Sequence, residues 1–106
     1  MLEKLNEINA LYDVYRGLLT DKQREYMALY YQEDLSLAEI ADEFGVSRNA
    51  VHDNIRRTEK LLVGYEEKLK MYEKASARQA FYDKIKAETN EETVLVILKQ
   101  LEALED

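Results

Sequence analysis

Residues 36–62, SLAEIADEFGVSRNAVHDNIRRTEKLL, decide how the chain folds. They read as a helix, a tight glycine turn and a second helix. Ser36 can cap the first helix, and Glu39, three residues on, completes a capping box. Ile40, Ala41 and Phe44 recur at helical spacing. Gly45 falls where the chain must leave the helix with φ > 0, a conformation that costs a residue with a Cβ about 1–2 kcal/mol and glycine little. Val46 is a candidate for burial in the turn, and Ser47 restarts the chain as a second N-cap. Val51, Ile55, Thr58 and Leu62 give the second helix one apolar stripe, and Ala41 is small where a steep crossing brings two helices close. The pattern is a helix-turn-helix. A helix held out from its scaffold in this way can enter a nucleic-acid groove.

Toward the N-terminus, Leu2, Leu5, Ile8, Tyr12, Tyr15 and Leu19 recur every three or four residues. The spacing predicts an amphipathic helix over residues 2–17, with Gly17 placed to end it. Thr20 and Gln23 form another capping box, and Tyr26, Met27, Tyr30 and Tyr31 line a helix over residues 21–32. Glu33 and Asp34 make the polar break before Ser36.

Beyond Arg57 nothing stops the second helix of the motif. Val51, Ile55, Thr58, Leu62, Tyr65, Leu69 and Tyr72 alternate at spacings of four and three, a heptad seam interrupted only by Gly64. The pattern predicts one helix over residues 47–73, roughly 40 Å long and too long for a small N-terminal bundle to cover. Leu62, Tyr65, Leu69 and Tyr72 are therefore candidate interface residues, facing the C-terminal helices, a second copy of the chain or a partner. Residues 75–87 are weakly patterned, with Ala77, Ala80, Phe81 and Ile85 as their apolar face, and can continue the long helix. Thr89 and Glu92 form a third capping box. Val94, Ile97, Leu98, Leu101 and Leu104 make an amphipathic last helix whose face must be buried, by folding back on the long helix or by dimerisation.

At 106 residues the chain suits one small domain with a helical extension. Proline and cysteine are absent and there are three glycines, a composition that favours helices and leaves no disulfide or thiolate-metal site. The lack of cysteine fits a reducing compartment. The opening MLEKLNEINA has no apolar core of signal-peptide length, and the longest apolar runs, residues 26–31 and 94–98, are too short to span a bilayer. These features point to a soluble, cytoplasmic protein with no membrane partner.

The net charge of −7 is unevenly spread. Residues 1–46 carry 4 basic and 10 acidic side chains, residues 47–62 carry 4 and 2, and residues 63–106 carry 7 and 10. Of these three segments only the second helix of the motif is net basic, and the net negative charge of the remainder repels phosphate at long range. A non-specific, charge-driven nucleic-acid binder is disfavoured. A binder with one small electropositive face, or a protein-binding module, remains.

Because Val51 and Ile55 face inward, a step of about 100° per residue turns Asn49, Asp53, Arg56 and Lys60 outward, flanked by His52 and Arg57. Arg48, Asn49, His52, Arg56, Arg57 and Lys60 are the candidate nucleic-acid-binding residues; an ordinary solvated helix face is the plainer account of the same positions. Asp53 opposes phosphate in the middle of this face, unless it accepts from a cytosine amino group or pairs with Arg56 or Arg57. His52 is the only histidine, which excludes a two-histidine metal or catalytic site, and neighbouring Asp53 points in another direction along the helix. The acidic pairs Asp42-Glu43, Glu66-Glu67 and Glu91-Glu92 lack the alternating oxygens and glycine of a calcium loop, and no glycine loop cradles phosphate. No enzyme activity, metal site or cofactor is expected. Tyr12, Tyr15, Tyr26 and Tyr30 fall on buried helix faces, whereas Tyr65 and Tyr72 sit on the distal seam.

Residues 19–62 resemble region four of bacterial sigma factors, most closely the extracytoplasmic-function type. LTDKQRE at 19–25, Leu29-Tyr30-Tyr31, Ser36-Leu37, Glu39-Ile40-Ala41, Phe44-Gly45-Val46-Ser47, Val51, Ile55, Arg57 and Lys60-Leu61-Leu62 carry this likeness. His52, Asp53 and Asn54 depart from it, since those sigma factors usually have basic or small residues there. The whole chain resembles a narrower group, the YlxM-like family of small bacterial helix-turn-helix proteins, through LEKLNEINALYDVYRGLLTDKQREYMALYYQEDLSLAEIA at 2–41 and the long acidic helical tail. That resemblance implies a stand-alone module without the sigma-factor core-binding region. Genes of the family commonly neighbour those of the signal recognition particle GTPases, so it also implies signal recognition particle components as partners.

The expected fold is all-α: a sigma-region-four-like helix-turn-helix bundle at residues 1–62, a long extended recognition helix, and C-terminal helices. Residues 63–106 then form a helical extension for dimerisation or partner binding. The expected function is that of a non-enzymatic regulatory protein whose 48–60 face contacts DNA or RNA, acting as a homodimer. Two-fold symmetry on DNA predicts half-sites about one helical turn apart. The alternative is an acidic all-helical protein–protein adaptor that does not bind nucleic acid.

Overall fold

The apolar spacing of the first residues is realised as α1 (Leu2–Tyr15), which passes into a 3-10 turn at Arg16–Leu18. The structure is a computed structural model that describes residues 2–105, with side chains from Leu5 onward; the place expected for the Leu2 side chain lies outside what is described. Gly17 sits within the 3-10 turn and has no positive φ, so the helix ends without using its freedom. Thr20 then opens α2 (Asp21–Met27) with a complete capping box: its Oγ1 accepts the Gln23 amide at 3.2 Å, and Gln23 Oε1 accepts the Thr20 amide at 2.9 Å.

From Ala28 to Gln32 the coil of α2 widens into a π-helical turn. Asp34 takes a left-handed conformation with φ 57°, which lets the Leu35 amide reach the Leu29 carbonyl at 3.0 Å. Aspartate tolerates this geometry better than most residues. The chain then enters α3 (Leu37–Phe44), turns at Gly45, and continues as α4 (Arg48–Leu69).

α1, α2, α3 and α4 enclose one core, built on Ile8, Leu11, Tyr12, Tyr15, Leu19, Tyr26, Met27, Ile40, Ala41, Val51, Ile55 and Leu62. Burying each of the larger aliphatic side chains contributes about 1.5–3 kcal/mol before entropy is counted. Two of the core tyrosines keep their hydroxyls bonded: Tyr12 donates to the Arg24 carbonyl at 3.4 Å, and Tyr15 to Glu66 Oε1 at 2.6 Å. Tyr26 meets Phe44 edge-on, with centroids 5.0 Å apart. Thr58 is the one buried polar side chain among the described residues, and its hydroxyl donates to the Asn54 carbonyl at 2.8 Å.

Several expectations for the C-terminal part need correction. The long helix does not run to residue 73: it ends at Leu69, and Lys70 takes a left-handed conformation with φ 53° before α5 (Met71–Glu88) begins. The heptad seam is therefore cut between Leu69 and Tyr72, and α4 spans about 33 Å. Thr89 is likewise no capping box with Glu92. It terminates α5, and its Oγ1 accepts the Glu91 amide at 3.1 Å in a short turn, so α6 (Glu92–Ala103) starts from Glu91 with no side-chain cap.

By its contacts the chain forms two compact units, Met1–Leu69 and Lys70–Asp106. In the second, α5 and α6 form a helical hairpin around the buried Tyr82 and Leu98. Arg78 Nε and Nη2 reach the two carboxylate oxygens of Glu105 at 2.6 and 3.0 Å, the Tyr82 hydroxyl donates to Glu105 at 3.1 Å, and Lys86 Nζ reaches Glu102 at 2.9 Å. These polar contacts, rather than an apolar stripe, choose the inner face of α5. Ala77, Ala80, Phe81 and Ile85, expected as that face, are exposed. No helix among the described residues is long and apolar enough to cross a membrane.

Candidate nucleic-acid interface

The turn between α3 and α4 is held from both sides. Ser36 Oγ accepts the Glu39 amide at 3.1 Å and Glu39 Oε1 accepts the Ser36 amide at 3.0 Å, closing the expected capping box at the start of α3. Hydrogen bonding from Ser36 holds the Glu39 carboxyl below its ordinary range. At the other end Gly45 is left-handed, with φ 65° and ψ 36°. The Val46 amide donates to the Ala41 carbonyl at 3.1 Å, which makes this a Schellman-type stop. Ser47 then starts α4, its Oγ accepting the Ala50 amide at 3.1 Å and its carbonyl the Val51 amide at 3.2 Å.

Ile40 and Ala41 of α3 and Val51, Ile55, Thr58 and Leu62 of α4 are buried. That burial fixes the rotation of α4 about its axis and so decides what it presents. Arg48, Asn49, His52, Arg56, Arg57 and Lys60 are all exposed, and so is Asp53. His52 Nδ1 lies 3.6 Å from Asp53 Oδ1, an ion pair only when the imidazole is protonated, and Asp53 forms no bridge to Arg56 or Arg57. The guanidinium groups and Lys60 thus share a solvent-facing strip about three helical turns long, with one carboxylate in it.

Of the expected interface residues, Leu62 is fully buried in the first unit and packs within its own chain. It presents no surface to a second molecule, which corrects its place on the seam. Tyr65 is partly buried against the same core, its ring 5.8 Å from that of Tyr15. Leu69 and Tyr72 are exposed and stand in different helices.

A depression of about 500 Å³ beside the exposed strip was not foreseen. Leu5, Tyr30, Tyr31, Leu35, Leu37 and Ile55 give it apolar walls, while His52, Arg56, Asp34 and Glu59 rim it. The π-helical turn and the left-handed Asp34 shape one side, and neither has a sequence signature beyond the adjacent tyrosines. Burial, then the negative charge of Glu59 and a hydrogen bond to it, push the Tyr31 hydroxyl well above its ordinary pKa, so it stays protonated. The Tyr30 and Tyr31 rings meet edge-on at 5.1 Å.

Among the described residues, no group of three or more His, Cys, Asp or Glu side chains is placed to hold a metal ion. The architecture is that of a presenting scaffold: a rigid turn, a buried helix face, and an opposite face carrying cations.

The sequence comparisons agree with this geometry. Residues 2–102 match the family described as "UPF0122: Putative helix-turn-helix protein, YlxM / p13 like". Two relatives named UPF0122 protein, from Streptococcus pneumoniae strains Hungary19A-6 and CGSP14, are each 58% identical over 84 residues, covering 79% of this chain and 76% of theirs. With a capped α3, a left-handed Gly45 and an outward-facing α4, the chain belongs to the UPF0122 family of YlxM/p13-like helix-turn-helix proteins.

Proposed function

We propose that the protein is a non-enzymatic regulatory module that contacts nucleic acid through the outer face of α4. The observation that carries this reading is the exposure of Arg48, Asn49, His52, Arg56, Arg57 and Lys60 together, on a helix-turn-helix segment, residues 47–62, in which basic side chains outnumber acidic ones. Arginine suits both phosphate and guanine edges, asparagine suits adenine, and a helix of this width fits the major groove of DNA. Asp53 lowers affinity for phosphate in general and restricts the partner to one that uses or avoids that carboxylate. A role in the signal recognition particle pathway rests on the family resemblance alone and would favour RNA over DNA.

Salt dependence tests the reading. Fluorescence anisotropy of labelled duplex DNA and hairpin RNA should give affinities that fall steeply with salt. The log–log slope should drop by roughly one unit for each lost phosphate contact when Arg56 and Arg57 are changed to Ala together. Binding with an unchanged slope in the double variant would remove α4 from the interface.

A second reading keeps the fold and makes it a protein adaptor. The depression walled by Tyr30, Tyr31, Leu35 and Ile55 favours it, because aromatic-lined hollows with a charged rim take apolar side chains of a partner. Under that reading nuclease treatment of a lysate leaves capture of the partner unchanged.

A further inference from the structure

We infer that the α5–α6 hairpin is a self-association module, and that the partner covering it is a second copy of this chain. The inference goes beyond the nucleic-acid reading of α4 and stands without it. Measured around each helix axis at about 100° per residue, Phe81 and Ile85 lie on one flank of Tyr82 in α5. In the same sense Val94, Ile97, Leu101 and Leu104 lie on one flank of Leu98 in α6. In an antiparallel hairpin those flanks face the same side. A depression of about 440 Å³ lined by Phe81, Ile85 and Val94 together places them there.

The stripe is open to solvent. Phe81 is 64% exposed, Ile97 54% and Leu104 81%. The six residues expose roughly 600 Å² between them, at the top of the range for the largest apolar patch of a monomer and most of the ~800 Å² each partner gives to a standard interface.

The hairpin also needs a partner for its own stability. Tyr82 and Leu98 are the buried apolar side chains of its described residues, far fewer than a two-helix unit requires to hold together unaided. A copy of itself fits the stripe on two counts. Val94, Ile97, Leu101 and Leu104 follow the three–four–three spacing of a helix–helix seam, so two hairpins related by a two-fold axis can interdigitate as a four-helix bundle. The centre of the stripe carries no charge, and its rim carries both signs, Lys84 against Glu88 and Glu91, so self-pairing meets no like-charge core.

The test is the mass of the full chain in solution at high micromolar concentration, by light scattering. The wild type should weigh twice the 12.5 kDa of the chain. Ile97→Lys with Leu101→Lys should weaken the dimer at least tenfold, while Leu69→Lys, outside the hairpin, should leave it intact. A monomeric wild type overturns the inference, and so does a dimer broken by Leu69→Lys and not by the α6 pair. If the α6 pair loses its helical circular dichroism, Ile97→Cys decides in a chain with no other cysteine. Cross-linking between chains on mild oxidation supports the two-fold seam, and failure to cross-link overturns it.

Discussion

The Ala41 carbonyl accepts the Val46 amide across the left-handed Gly45, at 3.1 Å, and this bond closes the reversal that sets α4 against α3. A Cβ built on Gly45 would meet no atom within 4 Å. The cost of a side chain there is therefore conformational and not steric. Gly45→Ala should destabilise the first unit by about 1–2 kcal/mol, and Gly45→Asn by less, because asparagine visits this region more readily. Thermal denaturation reads the difference as a loss of about 4–8 °C per kcal/mol.

Ser36→Ala removes the hydroxyl that accepts the Glu39 amide and should cost about 1 kcal/mol, with Ser36→Gly costing only a few tenths. Chemical denaturation with urea measures both, and an unchanged denaturant slope would place the loss in the native cap and not in the unfolded chain.

Tyr15→Phe deletes the hydroxyl bonded to Glu66 at 2.6 Å between α1 and α4 while keeping the ring in the core. A hydrogen bond to a carboxylate contributes about 1.5–3 kcal/mol at most in such settings. Tyr15→Phe should lose up to that amount, whereas Tyr15→Ala, which also empties the core, should lose about 3–5 kcal/mol. Equal losses for the two would show that the ring contributes nothing.

Acid should loosen the chain in a defined window. Hydrogen bonding from Arg78 holds Glu105 below its ordinary range, and Ser36 does the same for Glu39. A carboxyl whose folded pKa is depressed contributes stability above its unfolded value of about 4.3 and loses it as pH falls through the lower folded value. Stability should thus be flat near neutrality and fall below about pH 4. Glu105→Gln should flatten that fall in the α5–α6 hairpin, as read by amide exchange.

Much of the first unit was legible because its signals are local. The boxes Thr20–Gln23 and Ser36–Glu39, the Ser47 cap and the Gly45 turn each depend on residues within a few positions of one another. The apolar spacing of Val51, Ile55, Thr58 and Leu62 then fixed which residues of α4 face outward. Lys70 was not legible. A left-handed lysine has no residue-level signal, and the heptad spacing runs through it undisturbed. The inner face of α5 was missed for another reason: it is chosen by Arg78, Tyr82 and Lys86 reaching acids about 16–27 residues away, which no periodicity records. The depression beside Tyr31 depends on a π-helical turn and on Asp34, both products of packing.

The most direct measurement of the central claim is a nitrogen-15 amide titration of the full chain with a duplex DNA and with a hairpin RNA. If the outer face of α4 is the contact surface, the largest shift changes fall on Arg48, Asn49, His52, Arg56, Arg57 and Lys60, with Gly45 and Ser47 beside them. Saturable binding that instead moves only amides of α5 and α6, or leaves residues 48–60 unperturbed, would contradict the account.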